Sequence, residues 1–163
     1  MERKPIGALF AMNITIRNAR FDDLDTMTEL LSELFSIEAD FAVDEQRQRR
    51  GLSLIMSTLG ETGLIKVAEV DGEVVGMCTI QTLVSTAEGG KVGLIEDMVV
   101  SPCFRGKGVG RLLMEQIEDW AVRHDMTRLQ LLADRTNISA LNFYREMDWN
   151  PTRLICMRRT WND

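Results

Sequence analysis

Apolar and polar positions alternate with two different periods along this chain, and the switches between them mark its elements. NITIR (13–17) alternates with period two, as a strand does. From Asp22 the period lengthens. Leu24, Met27, Leu30, Leu31, Leu34 and Phe35 then share one face of a helix that Asp22 is placed to cap. A second helix is predicted from Asp44 to Leu59, with Asp44 as its cap and Leu52, Ile55, Met56 and Leu59 inward. In IKVAEVDGEVVGMCTIQTL two β-rich runs flank Asp71-Gly72, a dipeptide that tolerates positive φ at both turn positions and so predicts a hairpin.

VGLIEDMVV (92–100) reads as a strand apolar enough to be buried. A helix follows from about Gly108 to His124, with Val109, Leu112, Leu113, Ile117, Trp120 and Ala121 as its buried stripe. RLQLLA (128–133) is a strand, Asn137 caps a short helix through Met147, and TRLICMRR (152–159) is expected to close the sheet. The order β-α-α-β-β-β-α-β-α-β implies an α/β (α+β) fold: a mixed, mostly antiparallel sheet with helices on both faces.

At 163 residues the chain fits one domain, placed at 13–163, with 1–12 as a loose leader and Met12 as an alternative start. With 45% apolar and 27% charged residues it has an ordinary globular composition. No apolar run approaches the ~18 residues of a membrane span, and the leader lacks a cleavage signal, so the expected location is the cytoplasm. Cys78, Cys103 and Cys156 are scattered and His124 is the only histidine. Neither a disulfide framework nor a metal site is expected from that set. A net charge of −6 disfavours nucleic acid as a partner. The segment from Phe21 to Gln46 carries nine acidic residues and no basic one. It reads either as a solvated helix face or as an acidic rim for a cationic substrate.

The stretch SPCFRGKGVGRLL (101–113) sets Gly106, Gly108 and Gly110 between Arg105 and Arg111, directly before a helix. Glycines allow positive φ and close approach, and a helix start offers unpaired N–H groups and partial positive charge. A phosphate or pyrophosphate suits such a place. Lys107 is followed by glycine rather than by Ser or Thr preceded by the P-loop spacing, and the third glycine falls one place early for a dinucleotide fingerprint. R-x-x-G-x-G remains, against the plainer reading of a glycine-rich turn with surface arginines.

VVSPCFRGKGVGRLL resembles the acyl-CoA signature of the GNAT superfamily of N-acetyltransferases, and ISALNFYREMDW resembles that family's asparagine-led helix with its Phe-Tyr pair. The resemblance spans nearly all of 13–160. Asp148-Trp149 departs from it, since members often have glycine before the aromatic. It implies acetyl-CoA as cosubstrate, held by Arg105, Gly106, Lys107, Gly108, Val109, Gly110 and Arg111 around the pyrophosphate. Met98, Val99 and Val100 would lie along the pantetheine arm, with Asn137 at its amides and Phe143 and Tyr144 near the thioester.

Strand alternation puts Glu96 and Asp97 on opposite faces. Similarity to the polyamine and amino-sugar acetyltransferases, where a Glu-Asp pair often sits in this strand (here I-E-D-M-V-V), implies Glu96 as base or water-positioner and Asp97 as an orienter, and the family resemblance gives Tyr144 as acid and the Val99 N–H as oxyanion donor. The acceptor would be a primary amine of a small, cationic molecule, acetylated directly in a ternary complex. Pairing into a homodimer stays open. So do two alternatives, a non-catalytic acyl-CoA-binding regulatory module and a transferase of longer acyl groups or onto oxygen.

Overall fold

The computed structural model describes residues 12–38, 40–58 and 60–161. Five strands form one sheet in the order β1-β2-β3-β4-β5: Ile14–Asn18, Gly63–Val70, Glu73–Ser85, Gly90–Val100 and Leu129–Leu131. The first four pair antiparallel, and β5 joins β4 in parallel. Asp71 and Gly72 take φ of 52° and 86° at the β2–β3 turn, the doubly left-handed geometry that the dipeptide permits.

Helices cover both faces. On one lie α1 (Leu24–Ile37) and α2 (Glu45–Met56), enclosing a core that includes Met27, Leu31, Leu52, Val67, Met77 and Val99. On the other lie α3 (Val109–Arg123) and α4 (Ile138–Glu146). Leu113, Met114 and Ile117 of α3 pack there against Ile80 and Ile95 of the sheet, all at 1% exposure or less. The expected fold class is therefore the observed one.

Several local expectations change in detail. Asp22 does not cap the first helix: the residue before α1 is Asp23, whose side chain makes no capping bond to α1 but accepts the Arg20 N–H at 2.6 Å and, through both oxygens, the Arg17 guanidinium. A one-turn 3-10 helix, Phe21–Asp23, precedes α1 and shifts the capping position by one residue. The second helix does begin at the Asp44 cap, which accepts the Arg47 N–H, but it ends at Met56; Leu59 lies outside the described residues. Leu112 is 36% exposed and Met114 takes its place inside, because the inward stripe of α3 runs 109, 113, 114, 117, 120 and 121. The expected leader at 1–12 falls outside the described residues apart from Met12.

The largest difference is at the other end. Residues 152–159 form no strand; 150–161 run as exposed, irregular chain without a ladder partner among the described residues. Their alternation suits a strand, but strand propensity registers only when an edge is there to receive it.

Candidate active site

The site begins where β4 parts from β5. Their ladder joins Gly93, Leu94 and Ile95 to Leu129, Gln130 and Leu131 and then stops. Among the described residues, Glu96 to Val100 of β4 have a strand partner on one side only, β3. A bulge accompanies the parting: Ile80 pairs with Ile95 and Cys78 with Met98, so Thr79 alone faces both Glu96 and Asp97. Ile95 and Met98, three residues apart, consequently pack on the same α3-side core.

This bulge overturns the expectation that Glu96 and Asp97 point to opposite faces. Gln81 Nε2 donates to Glu96 Oε2 at 2.9 Å, and Thr79 Oγ1 donates to Asp97 Oδ2 at 3.0 Å. Thr79 and Gln81 lie two apart on β3, hence on one face, and both carboxylates follow them there. Thr79 is fully buried, and its oxygen also accepts the Asp97 N–H at 3.0 Å. One hydroxyl therefore pins both the backbone and the side chain of the bulge.

The bulge also sets which backbone groups face the opening. The Ser101 N–H donates to the Val75 carbonyl, which directs Ser101 and, by alternation, Val99 toward β3. Met98 and Val100 turn their N–H and C=O groups to the open side. The Val100 carbonyl there accepts from Arg105 Nε at 2.8 Å, tying the following loop to the strand. The Val99 N–H thus belongs to the β3 ladder, and its side chain, 4% exposed, belongs to the α1-side core.

Beyond β4 a second 3-10 turn, Pro102–Phe104, leads into the glycine loop. Gly106 and Gly108 have φ of 71° and 86°, and a Cβ on either would meet nothing within 4 Å. Their conformation is what glycine supplies, and the space beside them is open. Gly108 stands directly before α3, whose first intrahelical bond runs from Leu112 N–H to the Gly108 carbonyl at 3.1 Å. The N–H groups of Val109, Gly110 and Arg111 thus have no carbonyl one turn back within the helix.

Arg105, Lys107 and Arg111 are exposed, and the Lys107 ammonium sits 5.3 Å from the Phe104 ring centre. Val109 is 1% exposed, so only its backbone can serve a ligand. Gly110 has a different reason to be glycine: a Cβ there would lie 3.1 Å from Met98 Cε and 3.4 Å from Phe143 Cζ. Its bareness lets α4 press on the first turn of α3.

A pocket sits in the fork, walled by Ile95, Glu96 and Met98 of β4, Leu131 at the end of β5 and Leu132 to Asp134 beyond it, Asn137 and Tyr144 of the α4 region, Leu34 of α1, and Glu38 just after α1. It brings together Glu96, Met98, Asn137 and Tyr144; Asp97 stands behind Glu96. Asn137 Oδ1 is engaged as the α4 cap, accepting the Ala140 N–H at 3.1 Å, which leaves its amide NH₂ for other partners.

Burial, reinforced by the Glu96 charge and opposed by the Thr79 hydrogen bond, pushes the Asp97 carboxyl up to about 6. Burial likewise raises the Glu38 carboxyl, with the Asp134 and Asp40 charges adding to it. Asp134 itself is held low by its bonds from the Thr136 hydroxyl and N–H. Tyr144, edge-on to Phe143 and near Trp149, is pushed well above the usual phenol range by burial and then by the Cys78 and Glu38 charges.

A glycine loop opening onto free helix N–H groups, next to a half-bound strand, is the arrangement expected of an acyl-CoA site, and the sequence as a whole agrees. Residues 24–149 match the model of the acetyltransferase (GNAT) family. The chain belongs to that family. It is an acetyl-CoA-dependent N-acetyltransferase.

An N-acetyltransferase of Archaeoglobus fulgidus without a characterised role is 34% identical to this acetyltransferase over 134 residues, covering 82% of this chain and 90% of its own. The aminoalkylphosphonate N-acetyltransferase of Salmonella typhimurium is 27% identical over 129 residues, covering 79% and 80%. Among solved structures, the aminoglycoside N-acetyltransferase AAC(6')-Iy in complex with CoA superposes with a TM-score of 0.77 at 16% identity, covering 97% and 99%.

Within that frame, the motifs located the glycine loop, Asn137 and the Phe143-Tyr144 pair in the acetyltransferase sequence. They missed Glu38, Asp134 and Thr79. Glu38 was visible only as one carboxylate in the acidic 21–46 block. The structure separates that block: Asp23 is bound by Arg17, Asp25 pairs with Arg49, Asp44 caps α2, and Glu38 alone of these lines the pocket. Thr79 carries no signal along the chain, because its role exists only through the register of β3 on β4.

Proposed function

We propose that residues 13–163 act as a single domain that transfers the acetyl group of acetyl-CoA directly to the primary amine of a small, cationic acceptor. The observation that carries this reading is the forked strand: Met98 and Val100 offer backbone groups to an extended arm, and the pocket in the fork is lined by Glu96, Glu38, Asp134 and Tyr144. An arm lying along that edge would bond as an added strand does. Its diphosphate would meet Arg105 to Arg111, where open glycines and the start of α3 favour an anion. Acetyl-CoA supplies an activated thioester.

This chain's groups have three tasks there. An ammonium has no lone pair, so the acceptor's proton must first leave; Glu96, facing the pocket, takes it directly or through a water. Asp97, fixed behind it and poised at about 6, orients Glu96 and shares its negative field. As the new N–C bond forms and the C–S bond breaks, the carbonyl oxygen gains charge, and the Met98 N–H is the strand donor turned toward it.

The departing sulfur faces Tyr144. Because burial raises that phenol further above a thiol's ~8.5, full proton transfer becomes less favourable, and a hydrogen bond from Oη stabilises the sulfur instead. The acidic pocket wall favours a cationic acceptor, and the aminoalkylphosphonate N-acetyltransferase among the relatives supports a small amine as the group acetylated.

The test is thiol release from acetyl-CoA across amino acids, aminoalkylphosphonates, polyamines, amino sugars and aminoglycosides. Turnover with cationic amines, and none with alcohols or with longer-chain acyl-CoA, is expected. Thermal stabilisation by acetyl-CoA without release on any amine would sink the catalytic reading.

A further inference from the structure

A strand's register is held firmly where one face is apolar and the other wet, since a slip of one residue then exposes the apolar set. β4 lacks that protection, because helices cover both faces of the sheet. Met98 and Val100 pack on the α3 side, and Val99 packs on the α1 side. Continuing the Ile80–Ile95 register without a bulge would set Asp97 opposite Cys78, Met98 opposite Met77 and Val99 opposite Gly76. Met98 and Val100 would then face α1, and Val99 would face α3. Each of the three still meets a core, so hydrophobicity does not choose between the registers.

Asp97 does choose. In the bulged register Thr79 Oγ1 donates to its Oδ2 and accepts its N–H, both at 3.0 Å. A bulge leaves one residue out of the ladder. Here a side-chain oxygen takes the part of the missing carbonyl for that residue's N–H. In the regular register the carboxylate would stand against Cys78, which is fully buried, in a core that includes Ile80, Val109 and Leu113. There it would lose both its water and the Thr79 hydroxyl, and that hydroxyl, equally buried, would lose the carboxylate.

We propose that Thr79 is a positioning residue whose hydroxyl locks β4 in the bulged register and so selects which backbone groups and carboxylates face acetyl-CoA and its acceptor. Without that hydroxyl the strand relaxes to a regular ladder. The Val99 N–H then turns to the opening, Met98 and Val100 turn to β3, and Glu96 and Asp97 part to opposite faces. Those are the orientations that plain alternation along 92–100 predicts. The slip also draws the chain entering the glycine loop back by about 3.4 Å, one residue's rise. Thr79 touches neither substrate nor cofactor; it acts through Asp97 and the strand. The lock holds whichever amine is acetylated.

The test is amide hydrogen exchange of the full chain, followed residue by residue by NMR. In the parent, the Asp97 and Val99 amides should be protected and the Met98 amide open. Thr79→Val keeps the shape and removes the hydroxyl. Protection should pass from Val99 to Met98, by about 10-fold or more at each, and acetyl-CoA should bind about 10-fold or more weakly in calorimetry. Thr79→Ser should restore the parental pattern and affinity. Asp97→Asn, which keeps both an acceptor and the N–H, should retain the pattern.

Parental protection in Thr79→Val overturns the proposal. So does an equal loss of protection at Met98 and Val99, which would mean local loosening and not a change of register. If Thr79→Val does not fold, the double variant Thr79→Val/Asp97→Val decides. It removes both polar partners together, a change that can be nearly neutral for stability, and it should fold with protection at Met98. Protection kept at Val99 in that variant refutes the lock. An absence of turnover with every amine would strike the proposed function alone, because the exchange pattern is read without catalysis.

Discussion

The two halves of β4 differ in one respect from which most of the chemistry follows. Residues 93–95 have strands on both sides and no spare room: a Cβ on Gly93 would run into Leu129 Cδ2 and lie 2.7 Å from Ile80 Cδ1. Residues 96–100 have a strand on one side, a bulge at their start and an opening on the other side. The first half is held by complete pairing and packing. The second keeps backbone groups unspent, and the reacting groups collect around it. Within one strand, then, stability and function sit in separate stretches, and the bulge is the boundary between them.

That contrast can be broken most decisively at Tyr144. Tyr144→Phe should slow acetyl transfer by about 10²–10³-fold, the loss expected of one transition-state hydrogen-bond donor, while leaving the unfolding midpoint nearly unchanged, read by thiol release and by urea titration. A near-normal rate would assign the ring to packing with Phe143 and Trp149. Glu96→Gln comes next: kcat should fall by about 10²-fold, with acetyl-CoA affinity preserved in calorimetry. If affinity falls instead, Glu96 belongs to the binding side of the fork.

On the closed half, Gly93→Ala should cost roughly 1–3 kcal/mol by overpacking, since the nearest atoms are side chains locked in the core. A variant as stable as the parent would show that this half is looser than the geometry states.

Asp97 links the halves through pH. Its folded-state value of about 6 lies above the ordinary aspartate value of 3.8, so between these values the folded state binds more protons than the unfolded one. Stability therefore declines as pH rises from about 4 through about 6, by roughly 1–3 kcal/mol in all. Asp97→Asn keeps an acceptor for Thr79 and should remove that decline, which parallel urea titrations at pH 4.5 and 8 would reveal. Parallel pH dependence in both proteins would exclude Asp97 as its source.

The smallest effect is expected at Asp148, which ends α4 at φ 63° where the family resemblance led one to look for glycine. Asp148→Gly should stabilise by about 0.5–1 kcal/mol with activity unaltered, because it relieves only left-handed strain.

Much of the site could be read along the chain because it is built from neighbours in sequence. The glycine loop and the following amphipathic helix are contiguous, and Asn137 precedes Phe143 and Tyr144 by less than two turns of one helix. What escaped was set by register. The shared face of Glu96 and Asp97, and the turning of Met98 and Val100 rather than Val99 toward the opening, follow from Thr79 standing alone against two residues. No periodicity within 92–100 encodes that, since a bulge exists only relative to a partner strand. Gly110 owes its bareness also to tertiary contacts no local pattern records, since a Cβ there would press on Met98 and Phe143.

The sequence by itself determined the hairpin at Asp71-Gly72, four helices with their apolar faces, and the glycine-to-helix junction, because each depends on φ preferences and periodicities within a few residues. The tertiary structure alone decided where β4 loses its second neighbour, which of nine carboxylates reaches the pocket, and that the strand-like end of the chain finds no edge in its own fold. Those outcomes depend on which surfaces meet, and a pattern along one segment holds no record of the surface it will face.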